Sequence, residues 1–164
     1  MNPNQKQNAV QAILGEYEKT IVELQHVIQD MSADDLAYIV DHETQDSDCK
    51  SIQTVLAHVV SAGYSYCIYI KTFKNILEER PTKKIRLSSA EYIQDLDNVI
   101  AFTRNAFLTI YDHELEVYDQ DKKVLTSWKQ TYDIEQMMEH AIVHVLRHRR
   151  QIERFKTIVS NRQI

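Results

Sequence analysis

The chain has 164 residues, 43% hydrophobic and 26% charged, which suits one folded domain with its own core and excludes a disordered chain. A net charge of −5 and a pI near 5.8 argue against a general nucleic-acid binder, which carries a basic footprint. Two glycines and two prolines are too few for the turns of a sandwich or barrel, and two cysteines, Cys49 and Cys67, make no disulfide framework.

The N-terminus, Met1 to Asn8, is polar and lacks a signal-peptide core, and no stretch is long and apolar enough to span a bilayer. A cytoplasmic protein with no membrane partner is the expectation. The first helix is predicted from Pro3 to Met31, capped by Asn2, with Val10, Ile13, Tyr17, Ile21, Leu24, Ile28 and Met31 alternating at steps of three and four. Ser32 to Lys50 reads as a connector. Ser32 and Asp35 resemble a capping box that starts one short helical turn through Ile39, and Asp41 to Lys50 is polar and exposed.

The second long helix begins after Ser51 and runs to about Glu79, ahead of Pro81. Its stripe is Ile52, Val55, Val59, Ala62, Tyr66, Tyr69, Phe73 and Leu77. A third begins after Ser88, with Glu91 as reciprocal capping partner, and turns Tyr92, Leu96, Val99, Thr103, Ala106 and Ile110 inward. In Asp112 to Gln130, the pairs Leu115/Val117 and Val124/Leu125 flank Asp119–Lys122, so a small hairpin and an irregular loop are both open. The last helix starts near Thr131 or Asp133 and runs to about Ser160, with Ile134, Met138, Ala141, Val145, His148, Ile152, Phe155 and Val159 inward. The prediction is an all-α fold, an antiparallel four-helix bundle with one short extra helix, forming a single domain over residues 1–164.

Chemistry concentrates on the last helix. His140, His144 and His148 are spaced at i, i+4 and i+8, and residues four apart share a helix face. His148 falls within the apolar series. His144 lies about 40° around the axis from it, so both face the interior or its edge. His140 drifts about another 40° and either lines the mouth of a site or faces solvent. Buried neutral imidazoles need partners for their nitrogens, and a metal supplies one. His58 on the second helix is the best third ligand, since Ala57, Ser61, Ala62 and Gly63 leave room beside it. Two ligands from one helix and one from a facing helix is how bundles build such sites. Histidines that merely hydrogen-bond within a core are the competing explanation, and they are commoner than ligands. His26, His42 and His113 fall outside the pattern. Gln151 can orient an imidazole. Arg149 is expected to pair with an acid, Glu16 or Glu18. Trp128, Tyr64 and Tyr66 either line a pocket or complete the core. Cys67, over two turns from His58, packs as a structural thiol.

His144-Val145-Leu146-Arg147-His148-Arg149-Arg150-Gln151-Ile152 resembles the H-x-x-x-H-R-x-Q-I signature of the DinB/YfiT-like superfamily. Ser51-Ile52-Gln53-Thr54-Val55-Leu56-Ala57-His58-Val59 resembles the same family's second helix, which carries the first metal histidine. With helix number and order, the resemblance covers nearly the whole chain. It implies a four-helix bundle in which three histidines bind zinc, nickel or a similar divalent ion, here at His58, His144 and His148. One departure is Arg150, where many members have glycine. Three neutral histidines leave a fourth position open, the arrangement of a catalytic site. The resemblance further implies transfer or isomerisation with a low-molecular-weight thiol that attacks a small electrophile. The alternatives are a metal-dependent hydrolase and a non-catalytic metal-binding stress protein. Family members often form homodimers, and exposed tyrosines could serve that purpose.

Overall fold

The computed structural model describes residues 6–162, and its first helix, α1 (Asn8–Ile28), is started by a distant residue. No adjacent side chain caps it. Instead the Asp112 carboxylate accepts from the Asn8 and Val10 amides at 3.0 and 3.1 Å. That puts negative charge where the open N–H groups of a helix start concentrate positive potential. In return, Gln7 Nε2 donates to the carbonyls of Phe107 and Ile110. The expected start at Pro3 with Asn2 as cap lies outside the described residues. Lys6 and Gln7 are non-helical, so the helix begins later than a start at Pro3 would have it, two residues before the first stripe residue, Val10.

The short helix α2 (Ala33–Ala37) forms where the capping box predicts it, with the Asp35 amide donating to Ser32 Oγ at 3.1 Å. It ends before Ile39, which instead makes an isolated bridge with Ser51. Ser51 then starts α3 (Ile52–Thr72) through a reciprocal cap with Thr54. The predicted end at Glu79 is wrong by about two turns. Asn75 adopts a left-handed φ of 57°, and the Ile76 amide donates back to the Lys71 carbonyl at 3.1 Å, a closure that ends helices without glycine. Leu77, expected inside, is 88% exposed.

Helix α4 (Ser89–Phe107) carries the predicted Ser88/Glu91 cap and ends before Ile110, which nevertheless stays buried. The hairpin exists but not around Asp119–Lys122. Strands β1 (Val124–Leu125) and β2 (Thr131–Tyr132) pair antiparallel, Val124 with Tyr132 and Leu125 with Thr131. Thr126 closes the intervening turn by donating from both N and Oγ1 to the Gln130 carbonyl. Asp119, expected in the turn, caps a separate one-turn 3-10 helix, Gln120–Lys122. Asp133 and Gln136 cap each other to start α5 (Ile134–Asn161).

The four long helices pack in a ring, α1 against α5, α5 against α3, α3 against α4, and α4 against α1. The expected antiparallel arrangement holds for only two of these pairs. Glu18 meets Arg104 while Gln25 meets Asp97, so α1 and α4 run in opposite directions. His58 meets His144 and Tyr66 meets His140, so α3 and α5 do too. But Glu23 pairs with Arg149 and Val27 with Lys156, which makes α1 and α5 parallel. Gln53 contacts Tyr92 and Cys67 contacts Phe102, which makes α3 and α4 parallel. Parallel neighbours require a long return connection. The segment from Phe73 to Ser88 supplies it: an extended stretch of that length reaches about 50 Å, against about 28 Å for the 19-residue α4. It runs back along α3, tied by Lys71–Glu78, Arg80–Ser65 and Gln53 to the Arg86 carbonyl.

The core fills the middle of the ring. Every predicted inward residue of α4 and α5 is buried, and Leu14 takes the place expected for Ile13 on α1. Gly63 lets α3 and α4 approach closely. A Cβ there would sit 2.7 Å from Val99 Cγ1 and 3.1 Å from Tyr17 Oη. Val99 is β-branched and cannot swing aside. Gly63→Ala is therefore expected to destabilise the fold by about 1 kcal/mol, overpacking outweighing the gain in helix propensity. A urea midpoint equal to or above the parent's would refute this. No helix among the described residues is long and apolar enough to cross a membrane.

Candidate metal centre

Three imidazoles converge where α3 faces α5. One ring nitrogen each from His58, His144 and His148 lies within 4.8 Å of the other two. The closest approach is His58 Nε2 to His144 Nε2, 3.0 Å. Ring centroids are 5.0 Å apart for His58 with each partner and 4.4 Å for His144 with His148. His148 is buried, as its place in the apolar stripe predicts, and the other two are half-buried.

Two of the rings are held by groups that also fix their protons. His58 Nδ1 lies 3.1 Å from Asp48 Oδ2. His148 Nδ1 lies 2.9 Å from Gln151 Oε1. Both partners accept, so each ring carries its proton on Nδ1 and presents the lone pair of Nε2. Gln151 thus does what its spacing suggests. Asp48 was not anticipated. It belongs to the one-turn 3-10 helix Ser47–Cys49, whose Asp46 cap turns the polar segment back onto α3. Burial raises the Asp48 carboxyl, but the hydrogen bond and charge of Lys83, followed by those of His58, outweigh it and hold it below the ordinary carboxylate range.

The donor set fits a divalent cation. Two nitrogens bound tetrahedrally at about 2.0–2.1 Å lie about 3.3–3.4 Å apart, close to the His58–His144 separation. Without a cation, a neutral His144 can bridge that 3.0 Å by donating Nε2–H to the lone pair of His58 Nε2; a bound ion would require this proton on Nδ1 instead. The three histidines can therefore hold a metal ion. Among the described residues no fourth His, Cys, Asp or Glu joins the cluster, which leaves coordination open, and His58 also lines a cavity of about 500 Å³.

His140, Tyr66, Tyr69 and Trp128 line that cavity. His140 lies outside the triad. It stacks on Trp128 at 5.5 Å, and its Nδ1 is 3.2 Å from Tyr132 Oη, which puts it at the site mouth. Burial lowers its pKa. Ser61 is buried on the cavity wall. Of the aromatics in question, Tyr66 and Trp128 line the cavity, whereas Tyr64 packs on Phe102 at 5.1 Å, toward α4. Ser65, Arg80 and Lys83 also line the cavity. No sequence motif marks them, since the Phe73–Ser88 connector delivers the last two. His26, His42 and His113 are exposed and apart from the site. Arg150 points to solvent and leaves the site untouched. Arg149 pairs with Glu23 and not with Glu16 or Glu18. Glu18 is taken by Arg104 and Glu16 by Lys19.

Burial, followed by the positive charge of His148, His58 and His140, lowers the pKa of His144 to about 3. In the unfolded chain the same ring takes up a proton near 6.5. Between these values the unfolded state of metal-free protein binds more protons. Its stability is therefore expected to fall as pH drops through that window, at up to about 1.4 kcal/mol per pH unit for each such proton, and to be unaffected by this ring above it. Urea unfolding of chelator-treated protein checks this, and His144→Gln should flatten the slope.

Cys67 is buried against the Phe102 carbonyl, and burial pushes its thiol up to about 12. Cys49 is half-buried beside Asp46. Alkylation of the native protein should modify Cys49 and spare Cys67, which mass spectrometry reads directly.

No family model matches the chain, and no curated protein matches it.

Proposed function

We propose that the chain is a metalloenzyme of the DinB/YfiT-like kind, holding one zinc or nickel ion at His58, His144 and His148 and using a low-molecular-weight thiol on a small electrophile. The observation that carries this is three ring nitrogens from two helices converging on one point, one of them from His58 on the wall of an open cavity, with no fourth protein ligand among the described residues. A structural site would be closed. A bound divalent ion holds a coordinating thiol as thiolate at neutral pH.

The chain's own residues supply the rest. Asp48 and Gln151 take the Nδ1 protons of His58 and His148 and so orient both rings. Tyr66, Tyr69 and Trp128 form an apolar wall that admits the body of a substrate and excludes water from one side. His140, neutral and steadied by Tyr132, stands where it can accept a proton from an incoming group. Neither cysteine lines the cavity, so no protein thiol stands there to take the place of the small thiol.

Metal analysis of protein purified without chelators is expected to give one divalent ion per chain. Cobalt-substituted protein should show a sulfur-to-metal charge-transfer band when a small thiol is added. Protein that takes up no cobalt would sink the reading. Ester turnover without thiol, lost in His144→Ala, would replace thiol chemistry with hydrolysis.

A further inference from the structure

The cavity above the histidines is electrically lopsided. Its one acidic side chain, Asp48, is engaged by Lys83 as well as by His58. Arg80 has no such partner. Among the described residues its one hydrogen bond runs from Nη1 to Ser65 Oγ, 3.1 Å, and no carboxylate pairs with it. Four other arginines, Arg86, Arg104, Arg149 and Arg162, each hold an acid. The remaining unpaired ones, Arg147, Arg150 and Arg154, lie on α5 outside this cavity. A guanidinium has five N–H donors in a rigid fork. Ser65 uses one and is itself fixed by donating to the Ser61 carbonyl at 3.1 Å. The fork is thus positioned on the cavity rim with most of its donors open.

Aromatic side chains form another part of the lining. Trp128 meets Tyr69 edge-on at 5.6 Å and stacks on His140 at 5.5 Å. The Ser127 amide donates to Tyr69 Oη at 3.0 Å, which pins the turn carrying Trp128 to α3. A ligand filling this space meets both an aromatic surface and an arginine that pairs with no acid among the described residues.

We infer that Arg80 is an anion anchor, and that the cavity takes a small organic acid whose apolar or aromatic body lies against Trp128 while its carboxylate engages the Arg80 fork. This deepens the metalloenzyme reading and rests on it for where reaction occurs. Arg80 is a specificity residue that holds the acid group away from the reacting end.

Trp128 is the only tryptophan in the chain, so its emission reports occupancy of this cavity directly. The test compares hydrocinnamate and phenylacetate with their neutral amides, titrated by fluorescence against metal-free full-length protein, where no cation adds its own pull. The acids are expected to bind about tenfold more tightly than the amides, one charge-assisted contact being the difference. Arg80→Ala should erase that preference while leaving amide affinity unchanged. Arg80→Lys should retain part of it, as charge without the fork. Added salt should weaken acid binding only. Equal affinities, no quenching by either probe at millimolar concentration, or a preference that survives Arg80→Ala would overturn the inference. Cobalt uptake, measured on the same samples, reports on the metal site separately, so either idea can fail alone. Arg80 is exposed, and circular dichroism of each variant confirms that the fold is kept.

Discussion

Replacing His144 by alanine is expected to weaken zinc binding by about 10²–10³-fold while leaving the bundle folded. Apparent binding energies of about 10–16 kcal/mol over four ligands give about 2.5–4 kcal/mol for each, which sets that range. His144 is the better choice for the test than His148. His148 is 6% exposed and sits between Val145 and Ile152 in the core, so its truncation would leave a cavity and confound binding with stability. His144 is half-buried and touches Tyr66 at a ring distance of 5.5 Å, so its loss is tolerated more easily. Competition against a chromogenic chelator gives the affinity, and far-ultraviolet circular dichroism gives the fold. His26→Ala, an exposed histidine on α1, serves as the control and should bind zinc like the parent. If the two variants bind alike, the triad holds no metal.

The helices and the triad were legible in the sequence for a physical reason. Apolar periodicity is a local property, and α4 and α5 bury the residues that steps of three and four select. His144 and His148 share α5, so their alignment needs only the geometry of one helix. His58 needed one step more, a packing partner for α5, and small residues around it made that step readable. Direction was less accessible. Two long connectors permit either an all-antiparallel ring or the mixed one observed, and periodicity is blind to the choice. The end of α3 shows a second limit. Apolar spacing continues through Leu77, yet Asn75 in a left-handed conformation stops the helix, and a lone asparagine is a weak signal.

The polar surroundings of the site were illegible for a different reason. Asp48 lies in a one-turn 3-10 helix and Arg80 and Lys83 in an irregular connector, where side-chain direction follows from tertiary ties and not from a repeat. Arg80 reaches the cavity because the Phe73–Ser88 connector is folded back along α3 by Glu78, Arg86 and Tyr92. None of those ties has a local signature. The same holds for Asp112, which caps α1 from the far end of the chain. Pairing Arg149 with Glu16 or Glu18 failed because it assumed the wrong heights on α1. The parallel packing of α1 and α5 brings Glu23 to that level instead.

Asp48 therefore carries the sharpest test of how the site is tuned. Asp48→Asn preserves size and leaves an amide oxygen able to accept from His58 Nδ1, but removes the charge that polarises the ring. Groups holding a ligand histidine in this way typically change metal affinity by about 10–100-fold, and a loss in that range is expected here. The lost charge also frees Lys83, whose Nζ is bound to the other carboxylate oxygen. An unpaired ammonium beside a cation site repels the ion, which adds to the loss. The double variant Asp48→Asn with Lys83→Ala separates the two contributions. It should recover the part due to the ammonium and keep the part due to His58. Added salt should narrow the gap between single and double variants, because the ammonium term is screened and the hydrogen bond is not. Affinities indistinguishable from the parent's in Asp48→Asn would mean that His58 takes no direction from this carboxylate. The polar turn Ser47–Cys49 would then be packed on α3 for structure alone.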